Sequence, residues 1–156
     1  MNASTIVCSS ELAAHLNDAD WRVFDCRHQL SDAGYGETAY AAGPLPGAFF
    51  MHLDRDLSGL KTGKNGRHPL PDPQQLAAKL GAAGVSRQTQ VVVCDDAGGM
   101  MAGRLWWLLR WLGHDRVAVL DGGIGQWLKE GRPLSSEVPT SEPADFAVAQ
   151  RDWVVS

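Results

Sequence analysis

The run Cys94-Asp95-Asp96-Ala97-Gly98-Gly99 is the part of this 156-residue sequence best suited to chemistry. It joins an apolar, β-branched run to a helix-like run. A tight glycine loop of that kind presents backbone N–H groups and the positive end of a helix dipole, which suits an anion or an ionised nucleophile. A plain strand–helix turn has the same composition, so both readings stand. Three further strand ends are readable at residues 25–27, 50–54 and 121–123. They matter because ligands in open α/β sheets bind beyond the carboxyl ends of the strands. Two thiols fall at such ends. Cys94 is the last residue of an apolar strand and is expected to point into the core, where a thiol stays protonated. Asp95 and Asp96 beside it would raise its pKa further. Cys26 has Arg27 as a neighbour, which favours a thiolate slightly, yet it also reads as a small buried hydrophobe. Cys8 reads as incidental.

Positioning these residues takes alternating strands and helices. Residues 6–8 form a brief apolar run suited to an edge strand. Ser9 or Ser10 can cap a helix through Glu11, Leu12, Ala13 and Leu16. Residues 21–26 (WRVFDC) read as a strand with Val23 and Phe24 buried. Residues 37–42 suit one or two helical turns, and residues 43–47 (GPLPG) a stiff turn. Residues 48–53 return to a strand-like run, and residues 58–72 read as a surface loop. Asp72-Pro73 is a helix start for residues 74–80, ended by Gly81 and Gly84. Residues 90–94 (QVVVC) suit a strand buried on both faces of a parallel sheet. Residues 100–112 are apolar nearly all round, predicting a helix buried between layers and stopped by Gly113. Residues 117–120 form another buried strand, and residues 124–130 a last helix opened by Asp121-Gly122-Gly123. The alternation predicts an α/β fold with a mostly parallel sheet.

Composition sets the outer limits. Hydrophobic residues make up 44% and charged residues 21%, a globular balance rather than a disordered one. The formal charge of −4, with no basic stripe, disfavours nucleic acid as a partner. The strongest apolar stretch, residues 105–112, is interrupted by Arg110 and is too short to span a bilayer. No Lys or Arg precedes Arg22, so neither a secretory signal nor a transit peptide is expected. The three cysteines are widely spaced and form no CxxC pair, so neither a metal site nor a disulfide framework is expected, and a reducing cytoplasm is the natural compartment. Lys61, Lys64 and Arg67 form a small basic cluster that reads as solvated, with attraction of anions as a weaker role. Arg104 is expected to pair with Asp95, Asp96 or Asp121. Trp106, Trp107 and Trp111 read as packing residues.

The runs VVVCDDAGG, AGRLWWLLRWLGH and VAVLDGGIGQWLKEGRPL resemble the amino-terminal half of two-domain rhodaneses, the thiosulfate and 3-mercaptopyruvate sulfurtransferases. Asp25-x-Arg27 followed by Gly43-Pro44-Leu45-Pro46-Gly47-Ala48 resembles the signature in which Asp-x-Arg precedes Gly-His-Ile-Pro-Gly-Ala, with Pro44 replacing the usual His. The resemblance covers about residues 7–134. It implies a rhodanese-like three-layer fold, a mostly parallel central sheet with helices on both faces. It also implies that the loop nucleophile, a Cys that carries a persulfide in the catalytic domain, is replaced here by Asp95. A carboxylate cannot carry a persulfide, but it can satisfy the loop amides and helix dipole itself. The family's first domain is the non-catalytic one. By the same resemblance His68 and Asp54 reach a shared cleft, where a His oriented by an Asp could move a proton as sulfur leaves an enolate. A solvated loop His and a capping Asp remain the plain alternative.

The resulting expectation is a domain over residues 1–134 and, over 135–156, a linker towards an absent second rhodanese domain. This chain would form half a cleft, with a weak anion-binding loop at Asp95, Asp96, Ala97, Gly98 and Gly99. No catalytic residue is secure within it, and no cofactor or metal is implied. Its partners would be the second domain and a small anionic sulfur donor. Residues 135–143 hold no apolar pattern. Phe146 and Trp153 beyond them are too costly to leave wet and are expected to pack on something, a missing partner being one candidate. A stand-alone inactive module that binds a protein, and a small thiol enzyme using Cys94 or Cys26, are the alternatives.

Overall fold

A computed structural model describes residues 5–29, 31–32, 34–59, 70–135, 139, 142–146, 148–149 and 151. Five strands, β1 (Ile6–Val7), β2 (Trp21–Asp25), β3 (Ala48–Phe50), β4 (Gln90–Cys94) and β5 (Val117–Leu120), form one sheet in the order β1-β5-β4-β2-β3. Every pairing among them is parallel, so the sheet is fully rather than mostly parallel. Among the described residues α1 (Ser9–His15), α2 (Tyr35–Ala42), α3 (Pro73–Ala82) and α4 (Ala102–Trp111) connect successive strands, and α5 (Gly123–Lys129) follows β5.

The two-residue period of the strands divides the core. Val91 and Val93 of β4 join Phe24, Leu76, Leu80, Leu105, Leu108 and Leu109 on the face covered by α3 and α4. Val92 and Cys94, one residue out of step, join Leu12, Ile124 and Trp127 on the face covered by α1 and α5. All five β4 residues are buried, as expected of a central parallel strand.

Several boundaries move for identifiable reasons. Asp72 caps α3 as expected, its carboxylate accepting from Gln74 N at 2.8 Å and Gln75 N at 3.4 Å. In α1, by contrast, Cys8 occupies the cap position and neither serine caps. Ser9 lies inside the helix and its hydroxyl donates to Glu130. Strand β3 ends at Phe50 rather than residue 53, because His52 to Leu57 fold into a tight turn. Helix α4 begins at Ala102 and not at residue 100, since Gly98 and Gly99 take left-handed φ values of 70° and 94°. It is also not buried all round. Ala102, Leu105, Leu108, Leu109 and Trp111 face the core, while Trp106 and Trp107 are half-buried and Arg110 lies 5.0 Å above the Trp106 ring.

The described residues beyond 134 pack on this domain. Ser135 N donates to Pro44 O, Ala144 N to Gly81 O, Ala149 N to Leu112 O and Arg151 N to Trp111 O, at 2.7–2.9 Å. A Cβ on Gly81 would stand 2.5 Å from Ala144 O, and one on Gly113 2.7 Å from Ala149 O, so glycine is what lets the strap lie close. Arg151 adds a two-pronged pair with Asp115 at 2.6 and 2.7 Å. Phe146 stacks on His114 at 5.5 Å and packs against the α3–α4 core. The ring thus packs as expected from sequence, and the surface it finds lies within this domain. Trp153 lies outside the described residues.

His114 generates the first prediction. Its Nε2 bonds Thr89 O at 2.9 Å, and burial lowers its pKa from the usual value of about 6.5. The native state therefore takes up this proton less readily than the unfolded chain. The contribution of His114 to stability is complete above about pH 6.5 and declines as pH falls below it. Urea unfolding at pH 7.5 and 5.5 should show a smaller loss on acidification in His114→Phe than in the wild type.

Candidate functional site

The carboxyl ends of β2, β3, β4 and β5 bring four loops to one rim of the sheet, and the β4–α4 loop is the most constrained. Asp95 is 1% exposed. Its Oδ1 accepts from Ala97 N at 3.0 Å and Gly99 N at 2.9 Å, and its Oδ2 from Met101 N at 2.8 Å and Ala102 N at 2.7 Å. One carboxylate thus takes four backbone N–H groups, two from the loop and two from the start of α4. Those N–H groups have no partner within the helix itself, and a negative charge there also meets the helix dipole. Two left-handed glycines make the close wrap possible. The Asp95 carbonyl in turn accepts from Ile124 N at 3.0 Å, tying the β5–α5 loop to the same point. A Cβ on Gly123 would lie 2.4 Å from that carbonyl.

Asp96 turns outward and accepts from the hydroxyl of Tyr35 on α2. That bond raises the Tyr35 pKa. Arg104 Nε donates to Leu57 O at 3.0 Å, and of the three carboxylates expected to pair with it, that of Asp95 is held by backbone N–H groups. Met100, at the apex of the loop, is 73% exposed.

At the end of β2, Arg27 folds back on Asp25. Nε lies 3.1 and 3.0 Å from the two carboxylate oxygens and Nη2 lies 2.7 Å from one of them. Nη2 also donates to Gly43 O at 3.0 Å, pinning the GPLPG turn. Burial pushes the Asp25 carboxyl up from its ordinary range, and the Arg27 bonds oppose the shift. A buried pair of this kind is held by geometry, and removing one partner strands the other charge. Arg27 is thereby occupied and does not activate Cys26.

Neither buried thiol is placed for chemistry. Cys94 is fully buried on the α1–α5 face, 3.6 Å from Phe24 O, and burial raises its pKa well above the ordinary thiol value. Cys26 is buried on the opposite face with the same shift from the same cause. Cys8 is exposed and free.

Asp54 lies in the turn after β3 and is half-buried. His68, Lys61, Lys64 and Arg67 lie outside the described residues, so Asp54 is placed at the rim without its expected histidine. Two histidines unremarked in the sequence do meet there. The buried rings of His28, after β2, and His52, after β3, pack edge to face at 5.3 Å. Neither belongs to a periodic pattern. Only the pairing of β2 with β3, in register Asp25 to Phe50, brings them together. Among the described residues no group of three or more His, Cys, Asp or Glu could hold a metal ion, and no helix is long and apolar enough to cross a membrane.

An all-parallel five-stranded α/β sheet, with an N–H-lined loop after its central strand, defines a rhodanese-type domain, and the family profile for the Rhodanese-like domain matches residues 9–130. The chain belongs to the rhodanese family. Among its curated relatives, the "Probable 3-mercaptopyruvate sulfurtransferase" of Pseudomonas aeruginosa is 45% identical over 148 residues, 94% of this chain and 52% of the relative. The thiosulfate sulfurtransferase of Bos taurus is 47% identical over 129 residues, 80% of this chain and 42% of the relative. The 3-mercaptopyruvate sulfurtransferase structure from Leishmania major superposes with a TM-score of 0.80 at 33% identity, over 92% of this chain and 39% of that one. The SseA structure from Escherichia coli gives 0.83 at 26% identity, over 99% and 58%. The chain spans about half the length, or less, of the curated relatives it matches.

Asp95→Ala would leave four N–H groups of a part-buried loop and helix start without their acceptor. It should lower unfolding free energy by about 3 kcal/mol, and Asp95→Asn, which keeps one oxygen, by about half as much. Denaturant unfolding of the two variants checks the ranking.

Proposed function

We propose that this chain is the amino-terminal, non-catalytic rhodanese domain of a two-domain sulfurtransferase. The parent moves sulfane sulfur from thiosulfate or 3-mercaptopyruvate to a thiophilic acceptor. The observation that carries the reading is the Asp95 carboxylate, which accepts four backbone N–H groups, two of the loop and two at the start of α4, that would otherwise be offered to an anionic nucleophile. An ion that already fills the cradle leaves no place for a persulfide or a dianionic donor. The relatives' greater length supports a second half in the parent, the partner for this domain's rim. Its exposed Met100 would lie on that rim.

The second half of the parent would supply the nucleophile. A cysteine thiolate attacks the outer sulfur of thiosulfate, the S–S bond breaks, and sulfite leaves while the thiolate becomes a persulfide. Cyanide then takes the terminal sulfur as thiocyanate and the thiolate returns. With 3-mercaptopyruvate the C–S bond breaks instead, and the pyruvate enolate takes a proton. His68 and Asp54, on the resemblance, are this domain's contribution to that proton transfer. On its cysteine usage, with all three thiols free, we assign the chain to a reducing cytoplasm.

Two measurements test the reading. The chain alone should form no thiocyanate from thiosulfate and cyanide, and turnover with a persulfide on Cys94 would overturn it. In the parent, His68→Ala should lose turnover of 3-mercaptopyruvate, and unchanged turnover removes His68 from the mechanism. The cradle itself is checked by Asp95→Cys in a Cys8→Ser background. Its new thiol, facing the same four N–H groups, should be alkylated by iodoacetamide with a midpoint below the ordinary thiol value of about 8.5.

A further inference from the structure

The turn after β3 carries Asp54, and its wiring centres on His52. The imidazole Nδ1 of His52 accepts from Asp54 N at 3.0 Å and Arg55 N at 3.3 Å. A nitrogen that accepts carries no proton, so the neutral ring bears its proton on Nε2. The backbone of His52 closes the same turn. Its N–H donates to Asp56 Oδ2 at 2.7 Å, and its carbonyl accepts from Asp56 N at 2.8 Å and Leu57 N at 3.2 Å. From α3, Lys79 reaches across to Asp56 Oδ1 at 2.7 Å and to Arg55 O at 3.1 Å. The ring is itself locked, 5% exposed and packed edge to face against His28 and Phe50. Arg55 points out to pair with Glu37 of α2 at 2.6 Å, and Asp54 stands half-buried in the same turn.

We infer that His52 is a positioning residue for Asp54, its Nδ1 fixing the backbone from which the Asp54 carboxylate enters the cleft. The inference deepens the proposed function and depends on Asp54 acting there. A side chain that accepts from the N–H groups two and three residues ahead does what Asp or Asn does at a helix start. Histidine adds a rigid, well-packed ring, so the acceptor cannot swing away. Asparagine places its Oδ1 where histidine has Nδ1. Phenylalanine keeps the ring and loses the acceptor, and glutamine moves the acceptor one bond outward.

The test begins with the 156-residue chain labelled with 15N. Long-range ring correlations should show His52 with Nδ1 unprotonated, and the Nδ1–H tautomer would overturn the inference. Amide hydrogen exchange at Asp54 should quicken about tenfold in His52→Phe and in His52→Gln, the effect of losing one buried hydrogen bond, and stay near wild type in His52→Asn. Unchanged exchange in both His52→Phe and His52→Gln would also overturn it. In the sulfurtransferase that carries this domain, kcat with 3-mercaptopyruvate should fall at least about tenfold in His52→Phe and be largely restored by asparagine at the same position. Loss in Asp54→Asn but not in His52→Phe sinks the inference and leaves the function standing. Loss in neither removes Asp54 from the cleft chemistry, and the inference with it.

Discussion

One carboxylate organises the rim of this domain. Asp95 holds four backbone N–H groups with its side chain and a fifth, from Ile124, with its carbonyl. The four carboxylate bonds are charge-assisted and end on a side chain that is itself buried, so each is stronger than its neutral counterpart. They determine where α4 begins, why two left-handed glycines precede it, and how closely α5 approaches. The same bonds use up the positive end of α4. A loop geometry suited to binding an anion is here completed from within the chain, by the Asp95 carboxylate.

The Asp25–Arg27 pair has the matching role on the neighbouring strand. It is buried and two-pronged, and it reaches the Gly43 carbonyl, so β2 and the turn into β3 are set relative to each other. Gly36 must be glycine because the Arg27 carbonyl would lie 2.0 Å from its Cβ. With Arg27 committed to Asp25 and Asp95 committed to backbone, the charges nearest Cys26 and Cys94 support the frame. Both thiols are left as small apolar side chains on opposite faces of the sheet. The described residues of the strap, among them Ala144, Ala149 and Arg151, complete the frame by covering the ends of α3 and α4, and the two glycines beneath them set how closely they lie. The turn after β3, with Asp54 and the His52 ring that accepts from its backbone, adds a third built element to the same rim.

Much of this was legible from residue types alone. The unbroken apolar runs 91–94 and 117–120 called for a parallel sheet, because only a strand covered on both faces can be apolar at every position. Asp72-Pro73 named its own helix start, since cap and ring chemistry are local. Asp95 could be recognised as the residue at the head of the loop, and Cys94 as inward-facing, from the alternation of the strand it ends. The start of α4 was not legible, because it depends on which N–H groups Asp95 captures. Nor was the place of Phe146, whose apolar ring says only that it must be covered.

Sequence by itself therefore determined the fold class, the order of strands and helices, and the identity of the charged residues at the strand ends. These follow from period, burial and local backbone preference, which a short window of residues carries. Tertiary structure alone decided which acceptor each N–H group found, which carboxylate Arg27 took, that the strap covers its own domain, and that His28 and His52 meet. Those outcomes join residues far apart in the chain, and they turn on small differences in distance that no local pattern records.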